Sequence, residues 1–259
     1  RDGLIDGGHL QTLLSPATRL VAIHHVQSET GAVQDLMAVR AVIDQGAPQA
    51  LFLADTIQSA GKLLIPWQAA RLDFALVSGY KLGVPGGAAL IGRERELKAE
   101  KLSAYFTALR SRDHRVGRGN PVLALTLTDE VCERYAELDA NLDRVSEINA
   151  YLRRELATGL PVPPVFVVPS EHTTPYILHF LLPGYQGAVL VRMLSDQQIF
   201  IASGSACNAE TATPSPALLA SGVAKRDAFS GLRTSLSPQT TMYDAETFLS
   251  ALHRCLAAY

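Results

Sequence analysis

Apolar runs four or five residues long alternate with three- and four-residue periodicity through the first part of the chain. Residues 4–14 have helical spacing, and residues 19–26 are a β-branched apolar run that reads as a buried strand. A polar turn, Gln27-Ser28-Glu29-Thr30-Gly31, follows. Residues 36–43 return to helical spacing and stop near Gly46, and residues 50–54 predict a second strand that delivers Asp55-Thr56-Ile57-Gln58. A third strand, 74–77, ends in Ser78-Gly79-Tyr80-Lys81-Leu82-Gly83, and a fourth, 88–91, follows Gly86 and Gly87. Such alternation predicts an α/β domain with a mainly parallel sheet. Ligands on such sheets collect beyond the carboxyl ends of the strands, where Ser28, Asp55, Gln58 and Lys81 are expected.

The pattern then changes. After an arginine-rich loop at 110–120, Val131, Tyr135, Leu138, Leu142, Val145, Ile148, Leu152 and Leu156 mark one long amphipathic helix. Gly159 and prolines 161, 163 and 164 end it. Beyond them the pattern predicts strands at 165–168, 176–182, 200–202 and 231–236, with helices at 187–194, 216–220 and 245–256. The division expected from this pattern is 1–120 as a sheet domain, 121–158 as a connecting helix and 159–259 as a smaller α+β domain.

Composition narrows the partners. With 259 residues and 47% hydrophobic content the chain can bury a large core. Its 23 basic and 25 acidic residues, without runs of either sign, give no electrostatic case for nucleic acid or an anionic membrane. A small-molecule partner is expected. No apolar run reaches the roughly 18 residues of a membrane span. Cys132, Cys207 and Cys255 are widely spaced and form no metal-binding pattern, which fits a reducing compartment and a cytoplasmic protein. The chain opens on Arg1 rather than methionine and reads as a fragment or processed product.

The chemistry centres on Lys81. A lysine delivered by a buried strand into a glycine-rich loop can become a nucleophile and hold a carbonyl cofactor as a Schiff base. A pyridinium electron sink also needs an anion at its ring nitrogen, a donor near its phenolic oxygen and polar groups around its phosphate. Asp55, Gln58 and Ser78 are residues of those types. Taken singly, Asp55 also suits a cap and Gln58 a solvated surface position.

Four ordered segments carry a resemblance: Ala54-Asp55-Thr56-Ile57-Gln58-Ser59-Ala60-Gly61-Lys62, Ser78-Gly79-Tyr80-Lys81-Leu82-Gly83, Ser203-Gly204-Ser205-Ala206-Cys207 and Leu232-Arg233-Thr234-Ser235-Leu236-Ser237-Pro238-Gln239-Thr240-Thr241. Together they look like the signatures of the cysteine desulfurases, NifS/IscS branch, in the class V aminotransferase family of pyridoxal-phosphate enzymes. The resemblance implies the aspartate aminotransferase-like α/β fold, pyridoxal 5'-phosphate as cofactor and L-cysteine as substrate. It also implies a homodimer and a sulfur-acceptor protein of the kind used in iron-sulfur cluster assembly.

Residue by residue, the resemblance makes Lys81 the Schiff-base lysine and the base for the substrate Cα proton. Asp55 would pair with the pyridine nitrogen, Gln58 with the phenolic oxygen and Ser78 with the phosphate. Arg233 would clamp the substrate carboxylate through its planar fork. Cys207 would take the substrate sulfur as a persulfide, releasing alanine, while Cys132 and Cys255 read as inert. Ser28 stands where the family has an asparagine and is shorter, and Tyr80 replaces a histidine, with a hydroxyl still able to reach phosphate. The family's arginine-serine-glycine-threonine motif is blurred to Arg115-Val116-Gly117-Arg118-Gly119-Asn120. The family's large domain begins about a hundred residues upstream, roughly the length of one sheet domain. The truncated form is therefore expected to bind the cofactor weakly. Two alternatives stay open: another class V aminotransferase or lyase, and a non-catalytic homologue or fragment.

Overall fold

The computed structural model describes residues 2–97, 120–204 and 213–259. The chain divides into two compact units, one of residues 5–26 and 35–138, the other of residues 1–4, 27–34 and 139–259.

The first unit is built on a four-stranded sheet in the order β1 (Leu20–His24), β2 (Leu51–Asp55), β3 (Phe74–Ser78) and β4 (Ala88–Gly92). The first three strands are parallel, and β4 runs antiparallel to β3, with Phe74 opposite Gly92 and Ser78 opposite Ala88. The mainly parallel sheet and all four strand positions match the apolar runs to within a few residues. α1 (Gly7–Leu13) precedes β1, and α2 (Leu36–Gly46) crosses over between β1 and β2. The side chain of Asp35 caps α2 by accepting from the amides of Met37 and Ala38 at 2.9 and 3.0 Å. Leu36, Val39 and Ile43 bury one stripe of α2 in a core with Phe52, Ala54 and Leu72. Each large side chain buried there contributes about 1.5–3 kcal/mol. A short helix, α3 (Glu94–Leu97), follows β4.

The long helix expected across residues 131–156 is two helices, α4 (Pro121–Ala136) and α5 (Leu138–Gly159). They break at Glu137, whose amide bonds back to the carbonyls of Glu133 and Tyr135. The apolar period runs on through the break because the two stripes serve different cores. Leu127 and Val131 join Ala60, Val77 and Leu82, whereas Ile148, Leu152 and Leu156 pack in the second unit. Periodicity records that a face is buried but not which core buries it.

The second unit holds an antiparallel pair, β5 (Ile177–Leu181) and β6 (Gly231–Ser235), with His179 opposite Arg233. Every residue of β5 is buried. α5, α6 (Gly187–Ser195) and α8 (Met242–Ala258) contribute Leu152, Leu190, Leu194 and Leu252 to the same core as Leu178, Phe180 and Leu232. α7 (Pro216–Ala220) occupies the positions expected for it. The expected strands at 165–168 and 200–202 are single bridges, Val165 to Leu181 and Ala202 to Arg233. Prolines 163, 164 and 169 bracket the first of these; they supply no ladder donors and confine pairing to one residue.

Candidate active site

The carboxyl ends of β2 and β3 lie side by side, since Asp55 is opposite Leu76 in a parallel ladder. The turn after β2 is fixed locally. The Thr56 hydroxyl donates to the carbonyl of Leu76 at 2.7 Å, which ties the end of β2 to β3. Asp55 Oδ1 accepts from the amide of Ile57 at 2.9 Å, which engages one oxygen of the carboxylate in the turn. The buried His25 shares a 2.9 Å hydrogen bond between its Nδ1 and Ser59 Oγ, and burial pushes its pKa down to about 4. It is neutral at pH 7 and holds the turn without adding charge.

The loop after β3 is equally built. Residues 79–81 form one 3-10 turn, closed by the Leu82 and Val84 amides donating to the carbonyl of Gly79 at 2.9 Å each. Gly79 itself lies where a Cβ would sit 2.2 Å from the carbonyl oxygen of Gly86, so no other residue fits. Gly83, Gly86 and Gly87 hold left-handed φ values of 89°, 89° and 80°. On this frame Ser78 is half-buried, while Tyr80 and Lys81 are exposed. Asp55, Gln58, Ser78, Tyr80 and Lys81 are thus gathered on two adjacent loops of one unit. Among the described residues, the side chains of Gln58, Ser78 and Tyr80 make no hydrogen bond, and Asp55 Oδ2 accepts none. An anion, an amide, two hydroxyls and a primary amine whose bonding capacity is left over by the protein form a donor set that fits pyridoxal phosphate.

A second amine in this region had no role assigned from the sequence. Lys62 is driven down to a pKa of about 8 by burial, by the charge of Lys81 and by that of Arg134. Arg134 is fixed by Glu130 at 2.5 Å and by the carbonyl of Leu82 at 3.1 Å. Lys62 closes the motif that begins at Ala54, so the sequence placed it near the turn; its proximity to Lys81 is set by the fold.

The remaining expected residues belong to the second unit. The Ser28 carbonyl accepts from Arg233 Nη1 at 2.9 Å, so Ser28 meets Arg233 through its backbone. Arg233 is also held by its own amide and carbonyl, which bond Ala202 at 2.7 and 3.1 Å. Deep burial, and then the charge of Arg233, push the neighbouring His179 down to about 4, and both ring nitrogens of His179 lack hydrogen-bond partners among the described residues. Glu29, buried next to Ser28, accepts from Ser215 Oγ at 2.5 Å, and burial raises its pKa. Cys207 and the arginine loop around Arg115 lie outside the described residues. Cys132 is exposed and Cys255 buried, both as free thiols.

Residues 1–248 match the family model described as Aminotransferase class-V. Cysteine desulfurase IscS of Proteus mirabilis is 29% identical over 98% of this chain and 62% of its own length. The IscS of Anaeromyxobacter dehalogenans is 28% identical over 93% of this chain and 58% of its own length. The chain thus spans about three-fifths of these relatives. Among solved structures, a NifS-like protein superposes with a TM-score of 0.82 at 20% identity, covering 100% of this chain and 66% of that one. A NifS-like protein from Rickettsia africae gives 0.80 at 24% identity, covering 99% and 68%. These likenesses place the fold among the α/β enzymes of this type. Among the described residues, no helix is long and apolar enough to cross a membrane.

Proposed function

Because this chain belongs to the aminotransferase class-V family, we propose that the protein it represents is a cysteine desulfurase. In this reading it takes sulfur from L-cysteine, releases alanine and passes the sulfur to an acceptor protein. The observation that carries the reading is the pairing of two loops, Asp55 and Gln58 on one and Ser78, Tyr80 and Lys81 on the other, at adjacent strand ends. Bound there, pyridoxal phosphate would supply an electron sink for the bond breaking at the substrate Cα.

The chain's own residues have separable tasks. The Asp55 carboxylate stabilises a protonated ring nitrogen by opposite charge, and Gln58 orients the ring through its amide. Ser78 and Tyr80 offer hydroxyls to the phosphate. The Lys81 amine would hold the cofactor and is placed to take and return the substrate Cα proton. Arg233 offers a fixed guanidinium to a substrate carboxylate, held by Ala202 and Ser28. Cys207 is the sulfur acceptor. Ser28 acts on the cofactor side only through the order it gives Arg233. A homodimer and a cytoplasmic setting belong to the same reading, and the free Cys132 and Cys255 are consistent with a reducing compartment.

Addition of pyridoxal phosphate is expected to give the visible band of a lysine-bound cofactor, lost in Lys81→Ala. Incubation with L-cysteine is expected to yield alanine, with sulfide appearing once a thiol reductant is added. Cys207→Ala should keep the band and lose the sulfide. A band that survives Lys81→Ala would overturn the cofactor assignment, and sulfide release by Cys207→Ala would point to a transaminase or lyase instead.

A further inference from the structure

The amino ends of β1, β2 and β3 lie at the edge of the sheet opposite Asp55 and Lys81, one strand length or roughly 16 Å away. A cavity of about 240 Å³ opens there, lined by four guanidiniums, Arg40, Arg71, Arg93 and Arg95, and by only two carboxylates, Asp44 and Asp73. That volume is far above the roughly 10–15 Å³ that admits one water.

Arg40 is the least expected of these. It sits on the buried stripe of α2 with Leu36, Val39 and Ile43, and is only 7% exposed. Its Nε and Nη2 both donate to Asp44 Oδ1, at 2.9 and 2.5 Å. Asp44 Oδ2 is engaged by Arg71, so a single carboxylate serves two guanidiniums. Arg71 holds a left-handed φ of 49°, a conformation strained for a non-glycine residue. The turn amides that enforce it, Arg71 to Gln68 and Leu72 to Trp67, are both made at 3.1 Å. Arg93 donates through Nε to the carbonyl of Leu72 at 2.9 Å and stands 3.9 Å from Asp73, whose other oxygen is taken by the Phe52 amide at 2.8 Å. Arg95 meets Glu96 at 2.7 Å.

Among the residues that line the cavity, four cations face two anions. A self-contained ion-pair network would not need that surplus, and each guanidinium carries five N–H donors, more than the contacts above use. Arg40 is buried and paired with Asp44, whereas the side chains of Arg71, Arg93 and Arg95 are 55%, 36% and 79% exposed and can turn donors towards an anion in the cavity. We propose that this cavity binds a compact phosphate-type oxyanion, either inorganic phosphate or the terminal group of a phosphomonoester. A tetrahedral dianion presents several acceptors to forks converging from different elements, which a single carboxylate would not satisfy.

The test is a calorimetric titration of the chain in low-chloride buffer, first with inorganic phosphate and then with glycerol phosphate. Saturable binding is expected, weakened at least tenfold in Arg71→Gly, which also relieves the left-handed strain, and in Arg93→Gln. Thr241→Ala, in the other unit, should leave it unchanged, and Ser78→Ala reports any phosphate taken up at the opposite end of the sheet. Tighter binding of glycerol phosphate would identify the end of a larger ligand, and equal or weaker binding the free ion. No saturable binding, equal affinity in the two arginine variants, or loss only in Ser78→Ala would overturn the proposal. Should Arg71→Gly fail to fold, Arg93→Gln decides alone.

Discussion

Acid should unfasten the turn that carries Asp55 and Gln58, and His25 gives the size of the effect. Its imidazole is 4% exposed, bonded to Ser59 and titrates near 4 in the folded chain, against about 6.5 when unfolded. Above pH 6.5 the ring is neutral in both states and the full stability is present. As pH falls from 6.5 towards 4 the unfolded chain takes up a proton that the folded one refuses, so stability is lost over that window. A gap of about 2.5 pH units amounts to roughly 3.4 kcal/mol at completion, and about 2 kcal/mol is already lost at pH 5. The single tryptophan, Trp67, packs on the core of the same unit, so its fluorescence reports that unit's unfolding. Guanidinium melts at pH 7.5 and 5.0 should show the drop in the wild type. His25→Gln can still bond Ser59 but does not titrate, and should show a drop smaller by about 2 kcal/mol. Other groups, including the acid-favouring Glu29, cancel in that difference. An undiminished drop in His25→Gln would refute the argument.

Two further substitutions probe local geometry. Gly79→Ala would set a methyl 2.2 Å from the Gly86 oxygen and 3.2 Å from Val84 Cβ; it should cost at least about 2 kcal/mol in Trp67-monitored melts and shift the loop bearing Lys81. Thr241→Ala removes a capping box in which Thr241 Oγ1 accepts from the Asp244 amide and the Asp244 side chain accepts from the Thr241 amide; circular dichroism melts should register a loss of about 1 kcal/mol from the second unit, with no change in Trp67 fluorescence.

The strand-and-loop frame of the candidate site was legible because its signals are local. Residues 74–77 are apolar and lead through Ser78 into a glycine-rich loop, and a strand of that length delivers what comes next, Tyr80 and Lys81. The same holds for Asp55 after residues 51–55. The long helix misled because Val131 and Ile148 keep one period while belonging to different cores, and the break at Glu137 carries neither glycine nor proline to announce it. The strands expected at 165–168 and 200–202 shrank to bridges, the first because apolar composition does not count the ladder donors that the flanking prolines lack. Charge clusters were the least legible. Arg40, Asp44, Arg71 and Arg93 are scattered over more than fifty residues, and only the folding of α2 and of the antiparallel β4 against the rest of the sheet brings them to one end of it.

The same folding explains why the sheet carries positive charge at both ends without becoming a basic protein overall. At the carboxyl ends burial, with the charges of Lys81 and Arg134, lowers the pKa of Lys62 to about 8, while Glu130 is paired with Arg134. In a partly buried setting each such like-charge pair weighs several-fold more than in water, so the cluster lowers its energy either by releasing a proton from Lys62 or by receiving an anion. A phosphate-bearing ligand would do the second and would thereby restore the proton to Lys62. The glycines at 83, 86 and 87 allow backbone amides to approach such an anion as no side-chain-bearing loop could, because their left-handed φ values are strained for other residues. On the proposed function, lysine pair and glycine loop would answer one requirement, a doubly charged group held beside a primary amine that must stay free to react.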